Sequence, residues 1–351
     1  MKCNLDCSYC PTGIYGGHDN TQRHPPLEDC LRTIDFMFEY ADVYMSSKPK
    51  GIKYVILNVY GGEALHHPGI VEILSILRDR YQPYQDRWHL TVTTTTNAII
   101  SSHRLDQIIP FIDEFTVSYH TDSTPDQKQQ FCDNLLKIKS AARRQKCLVL
   151  MHSDPERFAD AQAMIEWLKQ NDIKYLPKQL DHYTPTDFNY NQQQVVWFEG
   201  LYKKSLDNAV MHSDKSDLAD TGRACCGGRS LCENQSRQDP QKFVSNKFPG
   251  WYCSVNHFFL YVKQVNGEVY VNKDCKMNYD GTVGPIGNLN NTAPILLQAR
   301  DPDKPIIRCA KERCLCGLCA PKSEDLDTYK SIMRKYEIPN TNLLPKGQRS
   351  N

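Results

Sequence analysis

The 351-residue sequence has no apolar run of the length, about 18 residues, that a membrane-spanning helix needs. Its first residues, Met1-Lys2-Cys3, also lack the apolar stretch of a secretory signal peptide. Neither export nor membrane insertion is supported by the sequence, and we expect a cytoplasmic protein without a membrane partner.

The sequence also has little net charge. Lys and Arg number 42 and Asp and Glu number 41, which gives a formal net charge of +1. The basic residues are spread along the chain, whereas proteins that bind duplex nucleic acid concentrate theirs on one face. The charge pattern therefore does not indicate a nucleic-acid partner.

Cysteine, by contrast, is abundant, with 15 residues. In a chain of this length without an export signal, such a number favours metal binding over disulfides. Three cysteines lie at one end, at positions 3, 7 and 10, and nine fall between Cys225 and Cys319. The other three, Cys30, Cys132 and Cys147, stand alone in apolar or helical sequence, where we expect small buried side chains.

The first half of the sequence alternates helical and strand patterns. Apolar residues recur every three or four positions in the helical segments, and β-branched residues dominate the short strands. Such alternation is typical of βαβ units and a parallel sheet, open or rolled into a partial barrel. The predicted helices are 26–46, 68–77, 125–144 and 155–170, and the predicted strands are 54–60, 90–96, 115–118, 147–151 and 173–176.

The second half is less regular. We predict the α/β unit over 1–183, a polar connector with one helix over 184–220, a small cysteine-rich unit over 221–325 and a tail over 326–351. Two β-rich runs flank Asn266-Gly267, a dipeptide typical of a tight hairpin turn. A small, loop-rich unit of this kind needs metal ions or clusters for stability.

The spacing Cys3-x3-Cys7-x2-Cys10 brings three thiolates onto one short loop. Electron-transfer cubane clusters use four cysteines, so three cysteines leave one iron open to an outside ligand. A zinc ribbon is the alternative, but it requires a second Cys-x2-Cys pair about 15–20 residues later. The next such pair is Cys316-x2-Cys319, far along the chain, so the spacing favours an iron-sulfur cluster.

The segment Cys3-Asn-Leu-Asp-Cys7-Ser-Tyr-Cys10 resembles the signature of the radical S-adenosylmethionine (radical SAM) enzymes, including the aromatic Tyr9 before the third cysteine. The resemblance implies a partial (β/α)6-type barrel, a 4Fe-4S cluster on these cysteines, and SAM bound to the open iron. It also implies cleavage of SAM to a 5′-deoxyadenosyl radical that takes hydrogen from a substrate. In related enzymes a strand precedes the cysteine loop, whereas here only Met1 and Lys2 do. We therefore expect a barrel that is one strand short, or a chain that begins after that strand.

Other SAM contacts follow from the same resemblance. Gly61-Gly62-Glu63, after the first predicted strand, is similar to the motif that holds the SAM amino group, although Ala64 replaces the usual proline. Thr96-Asn97 and Ser118 end later strands and match further contact positions. His120 lies at the same rim and is a candidate for facing the substrate, whereas we expect His66-His67 to cap a helix.

The second cysteine group resembles the auxiliary-cluster extension called SPASM, or its shorter twitch form, with a cysteine before a hairpin, another after it, and a terminal cysteine group. The spacing between Gly267 and Cys275 is longer than usual, and no cysteine follows Cys319. Nine cysteines, counting Cys225, Cys226 and Cys232, suffice for two clusters, and structural zinc is an alternative. The ligands expected for an auxiliary iron-sulfur cluster are Cys253, Cys275, Cys309, Cys314, Cys316 and Cys319.

The resemblance implies a radical SAM enzyme that acts on a peptide, a protein or a small molecule and receives electrons from a flavodoxin or ferredoxin. Two other functions stay open at this point. One is a non-catalytic zinc-binding interaction protein, and the other is a cluster-dependent lyase that does not use SAM.

Overall fold

A computed structural model of the chain describes residues 3–5, 7, 9–10, 24–47, 53–180, 189–198, 200, 248–253, 255, 259–264, 266–272, 284–300, 307–309 and 322–337. The chain divides into two compact units, and each is made of several segments. The first unit comprises Met1–Leu27, Val55–Pro83 and Leu90–Asp207, and the second comprises Glu28–Tyr54, Tyr84–His89 and Asn208–Asn351.

A five-stranded parallel sheet forms the centre of the first unit, with the strands in sequence order. Val92, Val117 and Val149 occupy the middle of three neighbouring strands and are completely buried, as expected of a parallel sheet covered on both faces. Thr96 pairs with Val117 and Ser118 with Leu148, so the polar strand ends meet at one edge. The strands are β1 (Tyr54–Val59), β2 (His89–Thr96), β3 (Glu114–Tyr119), β4 (Arg144–Met151) and β5 (Tyr175–Gln179).

Helices connect these strands and begin at recognisable caps. The Thr124 hydroxyl accepts from the N–H of Gln127, whose side chain accepts from the N–H of Thr124, and Pro125 follows at the first helical position. The Asp154 carboxylate caps the helix Pro155–Gln170 by accepting from two backbone N–H groups. Helix α1 (Leu27–Ser46) precedes β1, and the helices that connect the strands are α2 (Ile70–Tyr81), α3 (Ser102–Ile108), α4 (Pro125–Ala141) and α5 (Pro155–Gln170).

Two small antiparallel sheets are described in the second unit. In one, β6 (Tyr252–Cys253) lies between β10 (Ile307–Arg308) and β11 (Lys322–Ser323). In the other, β7 (Tyr261–Lys263), β8 (Glu268–Tyr270) and β9 (Gly287–Asn288) form a meander. Two helices complete the described part, α6 (Ala293–Arg300) and α7 (Leu326–Glu337).

Two glycines of the meander are required by its geometry. Gly267, in the predicted hairpin turn, has a φ of 69°, which L-residues rarely adopt. A Cβ atom on Gly287 would lie 2.6 Å from Cγ1 of Ile295, so α6 can pack against β9 only because that side chain is missing.

Helix α1 packs into the core of the second unit although it directly follows the cysteine loop in the sequence. Phe36 of this helix lies in one cluster with Val255, Val262, Val269 and Ile295. The apolar spacing predicted this helix and the burial of Ile34 and Phe38, but it predicted neither the burial of Phe36 nor the surface that covers it. Within the described ranges, no helix combines the length and apolar character that a membrane span requires.

Candidate cofactor site

The turn after β1 depends on two glycines. Gly61 has a φ of 121° and Gly62 a φ of 49°, and both values lie in the region that glycine adopts without steric cost. The turn ends at Glu63, which begins a single helical turn, Ala64–His66. The two glycines thus direct the Glu63 side chain toward the end of the neighbouring strand β2.

Glu63 has a buried carboxylate, with 2% of the residue exposed. One oxygen, Oε1, accepts from the N–H of Leu65 at 3.1 Å and from the hydroxyl of Thr96 at 2.9 Å. The other oxygen, Oε2, accepts from the N–H of Asn97 at 2.7 Å. Burial raises the pKa of Glu63, and these three donors oppose that shift. A carboxylate has about four acceptor positions, so the three donors leave room for one more, such as an ammonium.

Thr96 and Asn97 hold the turn after β2 in a fixed shape. The Thr96 hydroxyl accepts from the N–H of Ala98, a residue with a φ of 54°, and the Asn97 side-chain oxygen accepts from the N–H of Ile99. Asn134 of α4 donates to the carbonyls of Ala98 and Ile100 from the other side. Both strand-end side chains are therefore engaged by the protein, and their predicted contact with SAM stays a prediction.

The cysteine loop is attached to this turn through Asn4. Its side-chain oxygen accepts from Nδ2 of Asn97 at 2.7 Å, and its side-chain nitrogen donates to the carbonyl of Ile99 at 2.9 Å. Within the loop, the N–H of Cys10 donates to the carbonyl of Cys7 at 3.0 Å. The residue after the first cysteine thus ties the loop to the end of β2.

A second attachment joins the loop to His120, which directly follows β3. The His120 Nδ1 atom lies 3.3 Å from Sγ of Cys7 and 3.0 Å from the hydroxyl of Tyr9. The rings of Tyr9 and His120 are stacked, with an interplanar angle of 3°. Cys7 and Tyr9 are both buried, and removal from water lowers the pKa of His120 to about 4.

The thiols lie close enough to influence one another. Burial, together with the nearby Asp122 and smaller contributions from Cys3 and Cys10, raises the pKa of Cys7 to about 12. Burial also raises the pKa of Cys3, and the Glu63 carboxylate adds to this shift. Such thiols stay protonated in the free protein, whereas a bound metal centre converts thiols to thiolates. The donor set of three thiols, of which that of Cys7 is buried and those of Cys3 and Cys10 are half-buried, lies beside one carboxylate and therefore fits an iron-sulfur cluster with an adjacent cationic ligand.

No three His, Cys, Asp or Glu side chains within the described residues are grouped closely enough to hold a single metal ion. A cubane cluster needs a wider arrangement than one ion does, because each thiolate binds a different iron.

Further polar groups line the ends of β3 and β4. Ser118 is buried at the end of β3, and the hydroxyl oxygen of Thr121 is buried without a hydrogen bond to the described residues. Asp122 forms an ion pair with Arg157 at 2.8 Å, and His152, after β4, lies 6.1 Å from Tyr9 between ring centres. His67 accepts from the N–H of Gly69, the residue before α2, whereas His66 contacts the carbonyl of Ile99, and no side chain of the described residues caps the first turn of α2.

No family model matches the chain, and no curated protein is similar to it in sequence. Solved structures of anSMEcpe, an anaerobic sulfatase-maturating enzyme with a radical SAM core and a SPASM domain, are similar to it in fold. The structure with AdoMet and the Kp18Cys peptide is 12% identical and has a TM-score of 0.53, and the match covers 95% of this chain and 93% of that one. The structure with AdoMet alone is 13% identical and has a TM-score of 0.51, with 95% and 94% covered.

The chain has the radical SAM fold. This likeness confirms the α/β class and the parallel sheet predicted from the sequence. The predicted cysteine-rich auxiliary domain, the domain boundaries and the roles of the individual site residues stay predictions.

Two of the six cysteines predicted to bind an auxiliary cluster lie among the described residues of this radical SAM fold. Cys253 is opposite Ile307 in the β6–β10 pair, and Cys309 follows two positions later, with its N–H donating to the carbonyl of Trp251. Side chains two positions apart share a face, and such diagonal neighbours lie about 7–8 Å apart. The other four, Cys275, Cys314, Cys316 and Cys319, lie outside the described residues, as do Cys225, Cys226 and Cys232.

The sequence did not indicate that His120 contacts the cysteine loop, nor that Asn4 of this loop contacts Asn97. His120 and Cys7 are 113 positions apart, and a position at a strand end was the only available signal. Asn4 lies between two cysteines of the motif and has no pattern of its own.

Proposed function

We propose that this protein is a radical SAM enzyme. The observation that supports the proposal best is the convergence of Cys3, Glu63 and Asn97 on one edge of a parallel sheet, with Asn4 connecting the cysteine loop to Asn97. Three separate segments of the chain provide these residues, and that edge is where α/β enzymes carry their chemistry.

In this proposal Cys3, Cys7 and Cys10 hold a 4Fe-4S cluster. With SAM bound, such a cluster supplies one-electron cleavage of the carbon-sulfur bond of SAM to a 5′-deoxyadenosyl radical, which abstracts hydrogen from the substrate. The backbone at Gly61 and Gly62 allows close approach of the SAM amino group. The remaining acceptor position of the Glu63 carboxylate accepts a hydrogen bond from that amino group.

The other residues of this edge fix these groups in place. Thr96 and the N–H of Asn97 orient the Glu63 carboxylate, while the Asn97 side chain holds the cysteine loop through Asn4. Tyr9 packs on His120 and keeps water from Cys7, and Ser118 offers a hydroxyl at the end of the next strand. The buried surroundings strengthen each of these electrostatic contacts.

We propose a peptide or protein as the substrate, because two of the structures with this fold contain bound peptides, Kp18Cys in one and Cp18Cys in the other. The Cp18Cys complex is 13% identical and has a TM-score of 0.50, with 84% of this chain and 76% of that one covered. A small molecule is the other substrate class. We further propose an auxiliary iron-sulfur cluster that uses Cys253 and Cys309, and a flavodoxin or ferredoxin as the electron donor.

The test is anaerobic reconstitution with iron and sulfide, followed by dithionite and SAM. We expect 5′-deoxyadenosine from the wild-type protein and a reduction of at least about 100-fold in Cys7→Ala, since a ligand matters more than the supporting residues, whose loss typically costs 10- to 100-fold. Cys132→Ala is the matched control, because this cysteine lies on α4, outside the cysteine loop. Colourless, zinc-loaded protein would favour the interaction protein, and substrate turnover without SAM would favour the lyase.

A further inference from the structure

The His120 side chain contacts Cys7, one of the predicted cluster ligands. It follows directly after β3, and its Nδ1 atom lies 3.3 Å from Sγ of Cys7, within the range of a hydrogen bond to sulfur. The same Nδ1 atom lies 3.0 Å from the Tyr9 hydroxyl, and the stacked Tyr9 ring fixes the plane of the imidazole. Three side chains therefore share one set of hydrogen bonds around the sulfur.

The number of protons on the Cys7 sulfur, the His120 imidazole and the Tyr9 hydroxyl determines which of these groups can donate a hydrogen bond. A thiolate bound to iron carries no proton and accepts hydrogen bonds only. Between them, the neutral imidazole and the Tyr9 hydroxyl carry two protons. When the imidazole proton is on Nδ1, it points at the sulfur and the phenol oxygen, and the phenol O–H is then available to the sulfur as well. The geometry therefore favours this tautomer once Cys7 binds iron.

We propose that His120 is a positioning residue that donates a hydrogen bond from Nδ1–H to the Cys7 sulfur, with the Tyr9 hydroxyl as second donor, and so raises the cluster's reduction potential. The inference rests on the proposed function, since it requires a cluster on Cys7. Hydrogen bonds to ligand sulfurs are one of the factors that set the potentials of iron-sulfur clusters, because they stabilise the more negative, reduced state.

The experiment is a redox titration of the reconstituted protein, followed by the electron paramagnetic resonance signal of the reduced cluster. His120→Phe keeps a ring against Tyr9 but removes the donor. We expect its reduction equilibrium constant to fall about tenfold, which is a shift of about 59 mV for a one-electron couple. His120→Asn offers a side-chain N–H near the Nδ1 position and should recover most of the shift, and Tyr9→Phe should give a smaller shift of the same sign.

Tyr119→Phe is the matched control. Its hydroxyl donates to Asp160 at 2.8 Å, so this variant loses one hydrogen bond at the adjacent position of β3 without touching the cysteine loop. We expect an unchanged potential. A second readout is the coupling of exchangeable protons to the reduced cluster. The coupling of the His120 proton should be lost from the His120→Phe variant, whereas that of the Tyr9 hydroxyl proton should remain.

Several results would overturn the inference. One is an iron-loaded His120→Phe protein with the wild-type potential. Another is an equal shift in the Phe and Asn variants, or in Tyr119→Phe, since the cause would then be a loosened loop. If His120→Phe binds no iron, the Tyr9→Phe variant replaces it in the test, and a wild-type potential in that variant counts against the proposal. A wild-type protein that takes up no cluster, or that does not cleave SAM, is a failure of the proposed function itself.

Discussion

The two cysteine-bearing regions are held in different ways. The loop of Cys3, Cys7 and Cys10 is attached by side chains that come from distant strand ends, namely Asn97 after β2 and His120 after β3. Cys253 and Cys309 instead lie in and beside very short strands that are held by main-chain pairing. The first region should therefore respond to the loss of single side chains, and the second to changes that disturb backbone packing.

Separate removal of the two sets of cysteines tests the comparison most strongly. The Cys3, Cys7 and Cys10 triple alanine variant should form no 5′-deoxyadenosine and should still hold the iron of the second region. Cys253→Ser should lose about four irons, the content of one cubane cluster, and keep the reduced-cluster signal of the first site. Iron analysis and electron paramagnetic resonance measure both outcomes. Complete loss of iron in either variant would mean that the regions do not bind iron independently.

The next largest effect is expected at Glu63. Glu63→Ala leaves the N–H of Leu65, the Thr96 hydroxyl and the N–H of Asn97 without their acceptor. A buried unsatisfied group costs about 1–3 kcal/mol, so the free energy of unfolding should fall by about 3 kcal/mol or more. Glu63→Gln keeps one acceptor oxygen and should lose about half as much. Chemical denaturation of the metal-free protein measures both values, and equal stability of Glu63→Ala and wild type would contradict the buried geometry.

Gly287→Ala tests packing in the second unit. The new methyl group would lie 2.6 Å from Ile295, which shares a core with Cys253. Such overpacking typically costs about 1–3 kcal/mol, and we expect a corresponding fall in the free energy of unfolding of this unit. Gly284→Ala is the matched control, because no atom of the described residues lies within 4 Å of the position that its methyl group would take. It should change stability by less than about 0.5 kcal/mol, and a similar loss in both variants would refute the packing argument.

The smallest effect is expected from Asn4→Ala. This change removes the hydrogen bonds to Asn97 and to the carbonyl of Ile99, so the free energy of unfolding should fall by about 1 kcal/mol. A chelator should also remove iron from the cluster faster than it does from the wild-type protein. Asn58→Ala removes a hydrogen bond from Thr93 at an exposed position of the sheet and serves as the control. Identical iron release from both variants would show that Asn4 does not secure the loop.

Local patterns predicted the first unit well. The five predicted strands are all present, and α5 spans the predicted residues. Helix α3 was missed because Ser102–Ile108 is only seven residues long, too short for a helical period to stand out. The strands β6, β10 and β11 were missed because a pair of residues carries no alternation at all.

The candidate site could be predicted only in part, for a similar reason. Cysteine spacing and the Gly61-Gly62-Glu63 turn are local features, so they are visible in the sequence. Three other features depend on tertiary structure and are not visible in local patterns. They are the contact of His120 with Cys7, the hydrogen bond of Asn97 to the cysteine loop, and the packing of Phe36 with Val262. A periodic pattern identifies a buried face, but it does not identify what that face meets.

The membership of α1 in the second unit has a consequence for synthesis on the ribosome. Phe36 leaves the ribosome long before Val255, Val262 and Val269, which cover it in the folded chain. The apolar face of α1 therefore stays exposed while more than 200 further residues are added to the chain. Translation proceeds at about 5–20 residues per second, so the wait lasts on the order of ten seconds or more. A nascent chain stalled before residue 250 should consequently bind chaperones through this helix, and a full-length chain should release them.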